Sequence, residues 1–389
     1  MYICILGRQP ALGMAELERL YSSNATKWFS GESALIDHDD FDFNQLGGSL
    51  KAGRVVAELQ GNWQDISKAL VNEYAMAWAG TTHKITLGIS AYGFNNIGPR
   101  DVQKTGLVLK QRLKKEGVNV RLVPNDFAAL NTATSHHNKL GLSENKVELL
   151  VVRSGNGKVV VAQSVGAQNI TAIAARDQAR PHTDAFVGML PPKLARIMVN
   201  MVGPVSGSPT LLDPFCGTGV VLQEALLSGY SAYGSDLSDK MVDYTTKNLA
   251  WLSAKYGLTA ANYKVNQADA MDARWQVPIS TVVTETYLGQ PFSAPPKPAK
   301  LTEVRGNCNH IISQFLRNLA PQIAPGTVLV IAVPAWRSTT GEFTHLPLTG
   351  SLSSLGYKRI ELANVAPDRL MYYRETQVVA RELLLLAKA

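Results

Sequence analysis

Residues 211–219 read Leu-Leu-Asp-Pro-Phe-Cys-Gly-Thr-Gly, and this run constrains the fold more than any other. An apolar strand ends in an acid, Asp213, turns on Gly217 and Gly219, and enters an apolar-periodic stretch over 220–227. A doubly wound α/β domain builds a nucleotide-shaped site in this way, beside the carboxyl end of its first strand. The glycines let the backbone approach a ligand closely, and Gly219 leads into a helix N-terminus. The spacing departs from the dinucleotide pattern G-x-G-x-x-G, because Gly219 is followed by Val220, Val221 and Leu222. A second acid, Asp236, closes the next apolar run, 230–235. A carboxylate there can accept both hydroxyls of a nucleoside's ribose. Phe215 and Thr218 in the loop, and Leu237 after the second acid, complete this candidate binding set.

A chain of 389 residues is long enough for two or three domains. Hydrophobic residues make up 46%, enough for real cores, and the net charge of +7 favours a polyanionic partner without bearing on the fold. Cys4, Cys216 and Cys308 are far apart, so the sequence offers neither a disulfide framework nor metal-ligand spacing. The first seven residues are apolar but too short for a signal peptide, and no stretch is long and apolar enough to span a membrane. The expected compartment is the cytoplasm.

The first third reads as small α+β units. Strands are expected over 2–6, 33–37, 54–58, 84–90, 118–123, 147–153 and 158–164, the last two joined at Gly155-Asn156-Gly157. Helices are expected over 11–21, 63–78 and 100–116. The third buries Val102, Leu109 and Leu113 and turns Lys104, Lys110, Arg112, Lys114 and Lys115 outward. That basic remainder is either a solvated helix face or a contact for RNA. Between strands lies 135–141, Ser-His-His-Asn-Lys-Leu-Gly, expected as a loop whose adjacent histidines make ordinary hydrogen bonds, not a metal site.

The loop at 213–219 together with Asp236 resembles the cofactor site of class I methyltransferases, which use S-adenosylmethionine. Residues 90–93, the basic helix, 119–121 and 135–140 together resemble a THUMP domain, an RNA-binding module of tRNA-modifying enzymes. The blocks at 176–181 (Arg-Asp-Gln-Ala-Arg-Pro) and 188–195 (Gly-Met-Leu-Pro-Pro-Lys-Leu-Ala), followed by the glycine loop, look like the THUMP-bearing tRNA guanosine-10 N2-methyltransferases. The start, 2–6 with 13–17, resembles their N-terminal ferredoxin-like domain, and 371–382 their closing strand hairpin. The resemblance implies S-adenosylmethionine as cofactor and tRNA as partner. It also implies a Rossmann-like methyltransferase domain over 186–389, preceded by a ferredoxin-like domain over 1–60, a THUMP-like domain over 61–168 and a linker over 169–185. It places Asp213 at the cofactor's amino-acid end and Asp269 with Ala270 at its adenine. Arg180 and Lys193 are candidate RNA contacts, Lys193 with plain exposure as the alternative. Some relatives require a small zinc-binding activator subunit, and the sequence does not decide this.

Guanine's 2-amino lone pair is delocalised into the ring, so the nitrogen is a poor nucleophile. Acceptors aimed at its N–H groups make it more tetrahedral, and an aromatic ring holds the base for in-line attack. Amino-methyltransferases supply both at the end of the fourth strand, usually as Asp/Asn-Pro-Pro-Tyr/Phe. Here the strand 280–284 runs into Glu285-Thr286-Tyr287-Leu288-Gly289. Either Glu285 replaces the acid with one residue lost, or Thr284 holds the acid position and Glu285 and Thr286 stand for the prolines. The first alignment is preferred because a carboxylate still accepts an amino proton. Glu285 and Tyr287 are therefore the candidate catalytic pair. The basic, proline-rich loop 293–300 just beyond them is either an RNA contact or a spacer. The leading function is methylation of a guanine 2-amino group in tRNA. The alternatives are amino-methylation of another RNA or DNA, and a non-catalytic protein that binds cofactor and RNA.

Overall fold

The computed structural model describes residues 1–184 and 190–389. Gly188 and Met189, the start of the expected Gly-Met-Leu-Pro-Pro block, lie outside the described residues. The chain divides into two compact units, residues 1–10 with 21–172, and residues 11–20 with 173–389.

The first unit is built on one eight-stranded sheet. Its strands are β1 (Tyr2–Leu6), β2 (Thr26–Ser30), β3 (Ser33–Ile36), β4 (Ser49–Gln60), β5 (Ile85–Tyr92), β6 (Val120–Leu122), β7 (Lys146–Arg153) and β8 (Lys158–Ala167). Their order is β2-β3-β1-β4-β8-β7-β5-β6. The boundary expected near residue 60 falls inside this sheet: β4 pairs with β1 through 49–54 and with β8 through 51–60. Helix α1 (Pro10–Tyr21) follows β1 in sequence, yet its residues 11–20 belong to the second unit. Arg19 donates there to the carbonyls of Met201 and Val202 at 2.9 and 2.7 Å, and Asn200 Nδ2 donates to Glu16 Oε1 at 2.7 Å.

Helices α2 (Trp63–Ala77) and α3 (Pro99–Lys115) match the expected periodicity. Asn62 caps α2 by accepting from Gln64 and Asp65. Ile66, Leu70 and Tyr74 of α2 and Val102, Leu109 and Leu113 of α3 join one core with the β5 and β7 side chains. The β7–β8 hairpin turns at Gly157, at φ 87°. One expectation fails here. Residues 132–137 form a short helix, α4 (Thr132–His137), because Asn131 caps it by accepting from Thr134 N at 2.7 Å; the two histidines end that helix.

Helix α5 (Ile170–Gln178) occupies most of the expected linker. After it come α6 (Pro192–Asn200), β9 (Thr210–Asp213), α7 (Val220–Leu227), β10 (Ser231–Asp236), α8 (Asp239–Tyr256), β11 (Tyr263–Gln267), β12 (Thr281–Glu285), α9 (Pro298–Leu319) and β13 (Val328–Arg337). The last strands are β14 (Phe343–Thr344), β15 (Tyr357–Arg359), β16 (Met371–Tyr372) and β17 (Val379–Lys388). The sheet order is β11-β10-β9-β12-β13-β17-β15, with β14 on β13 and β16 on β17. Strands β9 to β13 run parallel, and β17 inserts antiparallel. β13 and β17 are mostly apolar and almost entirely buried, as strands covered on both faces must be. The chain winds outward from β9 through β10 to β11, then crosses to β12 on the other side. In such a sheet the strand order reverses between β9 and β12, and a ligand crevice opens at their carboxyl ends. Among the described residues no helix is long and apolar enough to cross a membrane.

Candidate active site

The glycine loop sits at that switch point. Gly217 and Gly219 both adopt left-handed backbone, at φ 50° and 83°. A Cβ on Gly219 would lie 2.9 Å from Thr245 Cγ2, so glycine is required there by space as well as by φ. The loop is held from α8: Thr245 Oγ1 donates to Gly217 O at 2.7 Å, and Asn248 Nδ2 donates to Thr218 O at 2.9 Å. Asn248 also pairs with the backbone of His182, accepting from its N–H and donating to its carbonyl. Phe215 packs edge-on against Phe315 of α9, with ring centroids 5.2 Å apart.

Asp236 ends β10 and binds this loop directly. Its Oδ2 accepts from Gly217 N at 2.9 Å and its Oδ1 from Ser238 N at 3.0 Å. Each carboxylate oxygen carries a second lone pair, so both remain able to accept a hydroxyl. Leu237, next in sequence, is 67% exposed and leaves an apolar side chain at the rim. After β11, Ala268 N donates to Asp236 O, Asp269 Oδ1 accepts from Met271 N at 2.9 Å, and Ala270 is buried. The turn of Asp269 and Ala270 is thus tied to the same strand ends.

Asp213, closing β9, is buried. It accepts from Thr284 Oγ1 at 2.6 Å and from Phe215 N at 3.3 Å. Burial pushes its carboxyl up to about 7, the negative charges of Asp236 and Glu285 push the same way, and the two hydrogen bonds oppose them. A raised carboxyl pKa means that ionisation costs folding stability. The contribution is fully present below the ordinary value of 3.8 and is lost as pH rises through about 7. Asp213→Asn keeps an acceptor for both donors. The expected result is a ligand-free variant whose melting temperature gains on wild type as pH rises from 5 to 8, at about 1.4 kcal/mol per unit of pKa difference. Parallel melting curves across that range would contradict it.

At the end of β12 the side chains part company. Thr284 is fully buried and gives its hydroxyl to Asp213. Glu285 forms an ion pair with Arg381 Nε of β17, and burial raises its carboxyl pKa while Arg381 opposes the rise. Thr286 donates both N–H and hydroxyl to Ala332 O, at 3.0 and 2.9 Å, and a proline at 286 would remove both bonds. Tyr287 is 42% exposed beyond the strand end. Gly289 is left-handed and packed, with its would-be Cβ 2.8 Å from Val304.

Of the basic residues expected to meet RNA, Lys104, Arg112 and Lys114 are exposed on α3, Lys110 is half-buried, and Arg112 donates to Asn72 Oδ1 at 2.6 Å. Lys193, on α6, is half-buried, and burial lowers its pKa. Arg180 corrects its expectation: it is 3% exposed, so it presents no guanidinium at the surface. Its neighbour Arg176 is also buried, paired with Glu224 Oε1 at 2.5 Å, and Arg196 takes the other oxygen at 2.6 Å. Arg176 and Arg180 of the block at 176–181 are thus buried within the second unit. Arg381, the partner of Glu285, is a residue that the sequence reading does not single out. The available signal was an Arg-Glu pair at the head of the run Leu383–Leu386, since charges entering a buried strand must find partners.

Residues 180–337 match the family model described as UPF0020: RMKL-like, methyltransferase domain. The tRNA (guanine(10)-N2)-dimethyltransferase of Methanothermobacter thermautotrophicus is 34% identical over 160 residues, 41% of this chain and 43% of that protein. The protein of the same name from Methanocaldococcus jannaschii is 41% identical over 93 residues, 23% of this chain and 25% of that protein. The chain thus spans less than half the length of these curated relatives. Among solved structures, TrmN from Thermus thermophilus aligns over 100% of this chain and 99% of its own, with TM-score 0.55 and 16% identity. A possible methylase from Clostridium difficile 630 aligns over 98% and 97%, with TM-score 0.55 and 12% identity. These two carry the fold across the length of the chain, a Rossmann-like methyltransferase sheet preceded by α+β structure. Residues 180–337 of the second unit are thus similar to the RMKL-like methyltransferase domain, and the curated relatives that the chain matches are named tRNA (guanine(10)-N2)-dimethyltransferases.

Proposed function

We propose that this chain methylates the exocyclic 2-amino group of a guanosine in tRNA, at position 10, with S-adenosylmethionine as methyl donor. The observation that carries the proposal is the convergence of Asp213, Asp236 and Glu285 at adjoining strand ends around one glycine loop, in a domain whose relatives bear that name. The loop fits the cofactor: Gly217 has open space where a side chain would stand, and Asp236 keeps a lone pair on each oxygen for ribose. Phe215, Thr218, Gly219 and Leu237 line the same loop, and Asp269 with Ala270 closes the adenine side. When bound, the cofactor supplies an electrophilic methyl group. Glu285 accepts a hydrogen bond from the amino group and takes up its developing positive charge, while Tyr287 stacks on the base. Calorimetric titration of the cofactor, followed by labelled-methyl transfer to total tRNA, tests the reading. Binding without transfer would leave a non-catalytic protein, and transfer to DNA alone would overturn the substrate.

In the same proposal residues 61–168 are a THUMP-like RNA-binding region, and the exposed lysines of α3 contact phosphates. tRNA affinity then falls log-linearly with salt, with a slope of about −0.7 to −0.9 per phosphate neutralised. Reversing the charge of Lys104, Lys110 and Lys114 together is expected to flatten that slope and leave cofactor affinity intact. Equal slopes in filter binding would reduce the helix to a solvated face.

A further inference from the structure

We infer that Arg381 is the positioning residue that adapts this site to its altered fourth-strand motif: it clamps one oxygen of Glu285 and leaves the other to accept from the substrate amine. The inference rests on the proposed function. Its geometry is independent of that proposal. Glu285 ends β12 opposite Ala332, and Arg381 stands opposite Pro334 on β17, one strand further out. The guanidinium therefore reaches across β13 to meet Glu285 Oε1 through Nε. Both side chains are largely buried, at 8% and 16% exposure. No hydrogen bond reaches Glu285 Oε2 among the described residues.

Two problems of the altered motif are answered together. A glutamate has one more rotatable bond than aspartate, and the two prolines that would stiffen the turn are missing. An ion pair to a buried guanidinium fixes the carboxylate where the backbone does not. The second problem is charge. The charged group acting on Glu285 comes from another strand, Arg381 of β17, and Glu285 in turn bears on Asp213 of β9, as Asp236 of β10 does. Burial favours the neutral acid, and Arg381 is the group that favours the anion. A neutral acid is a poorer acceptor for an amino group gaining positive charge.

The test uses the full-length protein with carbonyl-labelled glutamate. The Glu285 resonance is assigned by its loss in Glu285→Gln and titrated in wild type, Arg381→Met and Arg381→Lys. The expected result is a midpoint raised by at least about one pH unit in Arg381→Met and largely restored in Arg381→Lys. An unmoved midpoint in Arg381→Met, or a midpoint raised equally in Arg381→Lys and Arg381→Met, overturns the inference. If Arg381→Met does not fold, Arg381→Gln takes its place, with the same raised midpoint required. In parallel, the acid limb of the pH profile for methyl transfer should move by the same amount, with kcat at neutral pH down about tenfold and KM for tRNA little changed. A limb that stays put while the resonance moves overturns the positioning role. Absence of transfer by wild type under all conditions sinks the proposed function instead, and the titration still reports on the ion pair.

Discussion

Glu285→Gln is expected to slow methyl transfer to tRNA by about a hundredfold or more while changing tRNA affinity little. The size follows from removing one preorganised charge that acts where charge develops, which typically costs about 10²–10³ in rate. Glutamine still offers an acceptor oxygen, so binding of the uncharged ground-state base survives, and the loss falls on kcat. The structure adds a second consequence. Arg381 loses its counter-ion in a largely buried position, and breaking a buried pair by removing one partner commonly costs about 3–5 kcal/mol. The variant should therefore melt earlier than wild type. Cofactor titration of the folded variant separates this loss from the catalytic one. Tyr287→Ala is the companion change. With 42% of its surface exposed the ring is available to a base, and stacking is worth about 1–3 kcal/mol per base. Tyr287→Phe should be mild. Wild-type rates in both Glu285→Gln and Tyr287→Ala would remove the catalytic role from this loop.

Asp236→Ala should weaken S-adenosylmethionine by about 1.5–3 kcal/mol, roughly ten- to hundredfold in Kd, through loss of charge-assisted ribose contacts. Here too the structure enlarges the expectation. Asp236 accepts from Gly217 N and Ser238 N, so its removal leaves two loop amides without partners and loosens the turn that must meet the ligand. The effect should lie at the upper end of the range, while the tRNA salt dependence stays at its wild-type slope. Unchanged affinity in calorimetry would count against the whole cofactor assignment.

The parts of this molecule that could be read from sequence are those fixed by local chemistry. A strand ending in Asp-Pro-Phe-Cys-Gly-Thr-Gly dictates a turn that only glycines can make, and both Gly217 and Gly219 are left-handed. Apolar periodicity located α2 and α3 because burial against a sheet selects one helix face. What escaped is set at a distance. Residue 381 lies 96 positions from Glu285, and nothing local in either segment announces the pairing. Arg180 is expected as an RNA contact from the resemblance of its block, yet the fold buries it. The break expected near residue 60 reflects a change from strand to helix at Asn62, whereas the sheet continues through β4 because its partner β8 comes a hundred residues later. The histidine segment reads as a loop because a helix of six residues has too little periodicity to declare itself; its cap at Asn131 is the feature that sets it.

The claim at the centre of this account is the nucleotide modified. The direct measurement is mass spectrometry of nucleosides from position 10 of tRNA, isolated from cells with and without this protein. N2-methylated guanosine is expected at that position in the first sample and unmodified guanosine in the second, with methylation restored by the wild-type chain and not by Glu285→Gln. Identical modification in both samples, or a loss confined to a different nucleotide, would contradict it.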